Sequence, residues 1–344
     1  MTRRKKILVF FIVILSIYGL LAIFPRPQSI SAVNPLVISE ESKPLLIAHG
    51  GGNKEFPDNT LEAFYNAYSI DSSVMMETDV SLTKDGVILL SHDVSLDRKT
   101  NLVNALIIET NYSDLIADEV DFGYSNSVTG GINVSEEFTK YTNYLESEVT
   151  PLDINYPDGI LPRHESVFLA TTLEELITSF PDNFINVEIK QSGETGLLAL
   201  QKVIELMEDL DEEYHTFSRI VLASFHKEVY EELENIQKND HDNLLFSPAT
   251  SGVTKYFVLH TLRLDVFFFD KIAVLQVPTD EYGLNLSTKA FIATAHKHNI
   301  AVHYWTIDDP EVMRMLIENG ADGIMTNIPS LLQSVYDEYT FSTP

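Results

Sequence analysis

The sequence predicts an α/β fold in which short parallel strands alternate with helices, and three features predict it. Eight apolar runs of four to six residues recur along the chain, at 45–49, 74–79, 185–190, 220–224, 244–247, 274–277, 302–306 and 323–326. Runs this short and this apolar suit strands covered on both faces. Segments with helical start signals separate them, and strands alternating with helices build parallel sheets. The residues best suited to chemistry, His49, Glu77, Asp79 and Glu188, fall at the C-terminal ends of these runs. That is the face on which barrel active sites are assembled.

Taken in order, the chain opens with a basic stretch, residues 1–6, followed by an apolar run over 7–24 that only Ser16, Tyr18 and Gly19 interrupt. The run is close to the roughly 20 residues a bilayer-spanning helix needs. Basic residues before it keep the N-terminus cytoplasmic, so it reads as a single-pass signal anchor with the remainder outside the cell membrane. Residues 25–42, with prolines and serines, read as a linker, and 43–338 as one catalytic domain. Within that domain Asn59-Thr60-Leu61-Glu62 reads as a capping box opening a helix, as does Thr172-Leu173-Glu174-Glu175. Further helices are predicted over 197–210, 226–236, 289–298 and 310–318. Residues 102–168 fit neither the strand nor the helix period, are rich in Asp, Glu, Asn, Ser and Tyr, and read as an insertion.

A length of 344 residues suits one such domain with an N-terminal extension. Cysteine is absent, so the fold rests on its core and not on disulfides. The formal charge of −28 excludes nucleic acid as a partner, because phosphate backbones require a positive surface. It also means that an anionic substrate needs local positive charge.

Residues 74–82 and 86–92 form two β runs joined by Thr83-Lys84-Asp85-Gly86, an antiparallel hairpin signal. If Leu82 pairs with Val87, Glu77 lies opposite His92. Glu77 and Asp79 are two apart and share one face of their strand. Carboxylate oxygens suit hard cations such as Ca²⁺ and Mg²⁺, and a bound cation neutralises charge in phosphoryl chemistry. Histidine, titrating near pH 6.5, suits proton transfer. The hairpin thus gathers two carboxylates and an imidazole. His49 is followed by Gly50-Gly51-Gly52, and glycines permit the close backbone approach that a phosphate needs.

Several ordered segments resemble one family. They are His49-Gly50-Gly51, Pro57-Asp58-Asn59-Thr60, Glu77-Thr78-Asp79-Val80, Thr83-Lys84-Asp85-Gly86, His92-Asp93 with Leu96-Asp97-Arg98-Lys99-Thr100, Val187-Glu188-Ile189-Lys190, Ser224-Phe225, Trp305-Thr306 and Gly320-Ala321-Asp322-Gly323 through Pro329. Together they are similar to the motifs of the glycerophosphodiester phosphodiesterases, from about residue 45 to 329. The resemblance implies a (β/α)8 TIM barrel that hydrolyses glycerophosphodiesters, lipid or polymer included, to glycerol 3-phosphate and an alcohol. It implies one divalent metal ion, Ca²⁺ or Mg²⁺, on Glu77, Asp79 and Glu188, with His49 and His92 as the acid/base pair. Lys190 would contact phosphate, Trp305 would support the glycerol carbons, and the insertion would cover the site. A phospholipase D-like lipid enzyme, or a non-catalytic phosphodiester-binding module, would share these features.

Two departures stand out. Gly50 occupies the place where the family usually carries arginine, and glycine cannot supply an arginine's bidentate fork to phosphate. Lys54, Arg98 or Arg163 could take over the charge, Gly50 could make room for a bulkier substrate, or catalysis could be lost. Asn327 stands where the family often has aspartate.

Overall fold

The computed structural model describes residues 2–30, 33–39, 41–135, 137–281 and 283–342, side chains 14, 17 and 22 excepted. Residue 1 of the basic stretch and residues 31–32 and 40 of the expected linker lie outside these. All eight predicted strands form: β1 Leu45–His49, β2 Met75–Leu82, β3 Ile185–Ile189, β4 Ile220–Ala223, β5 Leu245–Phe246, β6 Val274–Val277, β7 Ala301–Tyr304 and β8 Gly323–Thr326. They pair in parallel in the order β5-β4-β3-β2-β1-β8-β7-β6. The Ala273 N–H donates to Phe246 O (3.0 Å) across the remaining gap. The result is a nearly closed parallel barrel, consistent with a TIM barrel.

Alternation along each strand divides the core in two. Ile47, Met75, Val221, Leu245, Val274, Ala301 and Met325 fill the interior, whereas Leu46, Ala48, Met76 and Val187 pack outward against the helices. Successive side chains on a strand point to opposite faces, so each strand serves both layers. Helices begin where polar side chains satisfy their first free N–H groups. Thr172 and Glu175 form the expected capping box before Leu173–Ser179. The other one does not form: Thr60 caps Leu61–Ile70 alone, and Glu62 is held by Arg163. Asp309 caps Pro310–Asn319, which ends on Gly320 at φ +84°.

The described residues of 25–42, expected as a linker, are instead fastened across the N-terminal floor of the barrel. Asn34 Nδ2 donates to Ala273 O (2.6 Å) and Asn299 O (3.0 Å), and the Ile38 N–H donates to Asp322 Oδ1 (2.9 Å). Leu36 is 0% exposed and belongs to the interior core. An apolar side chain in the open end of the barrel removes apolar area from water on both partners, which a free tether cannot do.

The apolar run after the basic stretch forms a helix, Arg3–Ile23. Among the described residues, however, no helix is long and apolar enough to cross a membrane, so the span expected over 7–24 is not found.

The hairpin also differs from expectation. Observed pairs are Val80↔Leu90, Ser81↔Leu89 and Leu82↔Ile88, which continue to Asp79 and Ser91 through a 2.8 Å bond. Thr83 pairs with Val87 as well (Thr83 N to Val87 O, 2.9 Å), leaving Lys84-Asp85-Gly86 as the loop, with Gly86 at φ +82°. This three-residue loop moves the register by one residue, so His92 faces Thr78 and not Glu77.

The insertion is pinned to the barrel through buried Asp97. Its carboxylate accepts from the N–H groups of Asn104 (2.7 Å), Ala105 (2.9 Å) and Asn133 (3.1 Å). Farther on, the Tyr141 hydroxyl donates to Asn53 O (2.9 Å) and the Tyr144 N–H to Lys54 O (2.7 Å). These bonds bring the insertion beside the loop that follows His49.

Candidate active site

The site stands at the C-terminal ends of β1 and β3 and beside them on the middle of β2, which runs on to Leu82 beyond the end expected at Asp79, and parallel register assembles it. His49 is level with Glu77, and Asp79 with Glu188, on adjacent strands. Neighbouring strands lie about 4.8 Å apart, so level side chains on the inward face converge. Carboxylate oxygens of Glu77, Asp79 and Glu188 lie within 4.8 Å of one another. Glu77 and Asp79 are buried, at 3% and 2% exposure.

Three carboxylates this close repel one another. Burial, then repulsion from Asp79, raises the pKa of Glu77, and burial raises that of Glu188 against the pull of Lys190. The Lys190 ammonium bridges Glu188 Oε1 (2.7 Å) and Asp79 Oδ1 (3.0 Å), one positive charge against three acids. An all-oxygen set short of positive charge fits a hard divalent cation. The residues present therefore suit the metal that the family resemblance implies.

His49 is held by a chain of polar contacts. Its Nδ1 lies 2.6 Å from Asn327 Oδ1, and Asn327 Nδ2 donates in turn to Asp308 Oδ2 (2.7 Å). Asp308 also accepts from the Asn327 N–H and pairs with Lys54 at 2.9 Å. Because the amide NH₂ is aimed at Asp308, its oxygen faces the imidazole. Nδ1 then carries the proton, and the lone pair of Nε2 points to the site, 3.9 Å from Glu77 Oε2. Burial opposes protonation of His49, but Glu77 and the Asn327 bond outweigh it and raise the pKa.

His92 lies across the cleft and is half exposed, with Nδ1 3.2 Å from Asp93 Oδ1. That hydrogen bond raises its pKa. Burial resists the ionised form of Asp93, yet His92 and Arg98 draw its pKa down to about 2. A fixed anion thus supports the imidazolium at His92, while at His49 the amide oxygen fixes the tautomer, with the proton on Nδ1 and Nε2 facing the site.

Gly50, expected as a close phosphate contact, organises the carboxylates: its N–H donates to Glu77 Oε2 (2.9 Å) and its carbonyl accepts from the Asn59 N–H (2.8 Å). Trp305 is half-buried and meets Phe225 edge-to-face at 6.2 Å, lining a cavity with both histidines, Glu77, Glu188 and Lys190. Of the three cations considered for the missing arginine, Arg163 is committed to Glu62 and Glu175, and Lys54 to Asp308. Arg98 lies at the cleft, forking onto Asp58 with two 3.0 Å bonds and holding Asp93.

Sequence reading missed Asn59, Asp58, Asp93, Asp308 and the orienting role of Asn327, and named Arg98 only as one candidate for the missing charge. Asn59 is fully used: Nδ2 donates to Asp79 Oδ2 (3.0 Å) and Asp58 Oδ2 (3.2 Å), and Oδ1 accepts from Thr78 and the Asp79 N–H. Membership of the motifs around Pro57 and His92 was the available signal for three of these residues, Asp58, Asn59 and Asp93. Nothing local marked Asp308. His226 places a ring nitrogen 3.0 Å from Lys190 O and steadies that turn.

Comparison with known proteins agrees with this geometry. A glycerophosphodiester phosphodiesterase from Caldanaerobacter subterraneus is 25% identical over 84% of this chain and 96% of its own length. A lysophospholipase D from Rattus norvegicus is 23% identical over 83% of this chain and 84% of its own. Among solved structures, an Oleispira antarctica phosphodiesterase in complex with the product sn-glycerol-3-phosphate shares the fold, with a TM-score of 0.57 and 19% identity over 86% of this chain and 97% of that one. The family described as glycerophosphoryl diester phosphodiesterase matches residues 49–331, which span the barrel from the last residue of β1 onward, the insertion and every site residue above, and the chain belongs to that family.

Proposed function

We propose that the protein hydrolyses glycerophosphodiesters to glycerol 3-phosphate and an alcohol, using one divalent cation, Ca²⁺ or Mg²⁺, on Glu77, Asp79 and Glu188. The observation that carries this reading is the convergence of those carboxylates between two differently supported histidines. A cation there would draw charge from the non-bridging phosphate oxygens. His49, with Nε2 unprotonated, accepts a proton from the nucleophile, either water or the neighbouring glycerol hydroxyl. His92, protonated beside Asp93, gives a proton to the departing oxygen. Lys190 adds positive charge next to the phosphate, and Trp305 with Phe225 offers an aromatic wall to the glycerol carbons.

The test is release of glycerol 3-phosphate by the purified full chain, with and without chelator, beside His92→Ala. Chelation is expected to abolish release and His92→Ala to lower it by about 100-fold or more. Full activity in either case would overturn the mechanism. No release from any glycerophosphodiester would leave a phosphodiester-binding module.

We also infer that the domain is held outside the cell membrane by residues 7–24. The support is the basic stretch preceding an apolar run, and exposed apolar side chains on the N-terminal helix such as Leu8 and Phe10, each 60% exposed. Membrane fractionation of the full chain tests it.

A further inference from the structure

Two cavities meet at the site, and among their lining residues only His49 and His92 belong to both. One runs past Glu77 and Glu188 to the aromatic pair Phe225 and Trp305. The other, of about 280 Å³, opens on the side of Asp93 and Arg98. A phosphodiester carries two arms on its phosphorus, and two cavities joined at the acid and the base match that shape. Asp93, the support of the acid His92, lies in the second cavity. The oxygen that receives the proton from His92 therefore heads the arm on that side.

The second cavity has a distinct chemistry. Apart from the imidazoles it is lined by Asn53, Asp58, Asn59, Asp93, Arg98 and their neighbours, with no aliphatic or aromatic side chain. An acyl or alkyl chain finds no apolar wall there. A quaternary ammonium finds no aromatic cage, and the three lining carboxylates are already paired, Asp58 and Asp93 with the Arg98 guanidinium and Asp79 with Lys190. What the cavity does offer is unused hydrogen-bonding capacity. The Asn53 amide has no intramolecular partner among the described residues, and three of the five N–H donors of Arg98 are engaged, leaving two. The Tyr141 hydroxyl on Asn53 O and the Tyr144 N–H on Lys54 O brace this wall from the insertion. At Gly50 the wall carries no side chain, and a Cβ there would meet Asp58 Cβ at 2.9 Å, so the opening belongs to the backbone conformation.

Resting on the phosphodiesterase reading, we propose that this polar cavity receives the leaving alcohol and that the alcohol is a polyol, such as glycerol or a sugar, recognised through Asn53 and Arg98. The decisive comparison uses three diesters that share the glycerophosphoryl arm and differ only in the alcohol: glycerol, choline or n-hexanol. With the full chain and Mg²⁺ or Ca²⁺, kcat/KM for the glycerol ester is expected to exceed the other two by about tenfold or more, because a site built to bond hydroxyls disfavours analogues lacking them. Asn53→Leu is expected to raise KM for the glycerol ester more than it lowers kcat, narrowing the preference. Equal efficiencies, or a preference for the choline or hexanol ester, would overturn the polyol assignment while leaving the phosphodiesterase reading standing. Absence of release from all three would overturn that reading and the polyol assignment with it.

Discussion

At position 50 the backbone adopts φ +56°, and an added Cβ would stand 2.9 Å from Asp58 Cβ. Side chains other than glycine pay about 1–2 kcal/mol for this left-handed conformation before any clash is counted. Gly50→Arg, which writes back the usual family residue, is therefore expected to lower both melting temperature and kcat/KM, since displacing Gly50 also displaces the N–H bound to Glu77. A gain of activity in this variant would show that Gly50 is only a missing arginine. Asp93 makes a second case. Its carboxylate raises the pKa of His92, so Asp93→Asn lowers it, and the protonated acid is lost at a lower pH. The alkaline limb of the kcat/KM profile is expected to move to lower pH, with the acid limb set by His49 moving less. An unmoved alkaline limb would remove His92 from the role of acid.

Among elements, the strap before β1 and the three strands β1, β2 and β3 matter most. Leu36 closes the floor of the barrel at 0% exposure, packed in the interior core and outside the cavities that the site residues line. Leu36→Ala is expected to cost about 2–4 kcal/mol in chemical denaturation while kcat stays unchanged. A cost below about 0.5 kcal/mol, typical of surface substitutions, would mean that the strap is not part of the core. The three strands place ligands by register alone: a slip of one residue between β2 and β3 would turn Glu188 away from Asp79. The hairpin tolerates its one-residue difference from expectation because His92 lies beyond the return strand Ile88–Leu90 and lines the cleft from the segment that follows it.

For the whole molecule, the charge of −28 makes the positive groups at the site decisive. Lys190 and Arg98 stand in a cleft that the rest of the surface makes repulsive to phosphodiesters, so association is expected to depend on local groups and bound cation, not on long-range steering. The strap and the Tyr18 hydroxyl on Leu262 O connect the N-terminal helix to the barrel end opposite the active site. If residues 7–24 anchor the chain, it is expected in the membrane fraction after alkaline carbonate washing and to become soluble when residues 1–24 are deleted. Full release of the intact chain by the wash would argue against the anchor.

The sequence by itself determined the α/β class, all eight barrel strands, and the face of the barrel on which His49, Glu77, Asp79 and Glu188 stand, although β2 runs on past Asp79 to Leu82. Those are consequences of local periodicity, and a two-residue spacing on a strand is the same in any tertiary setting. Only the folded chain decided the hairpin register, because the turn closed on Thr83 and Val87 and left three residues in the loop. It alone joined His49 to Asn327 and Asp308, more than 250 residues away, and drew Leu36 into the barrel. It also placed Arg98 on Asp58 and Asp93. Such contacts run between side chains that share no periodic pattern, so their partners become definite only when closure of the barrel brings distant strand ends together.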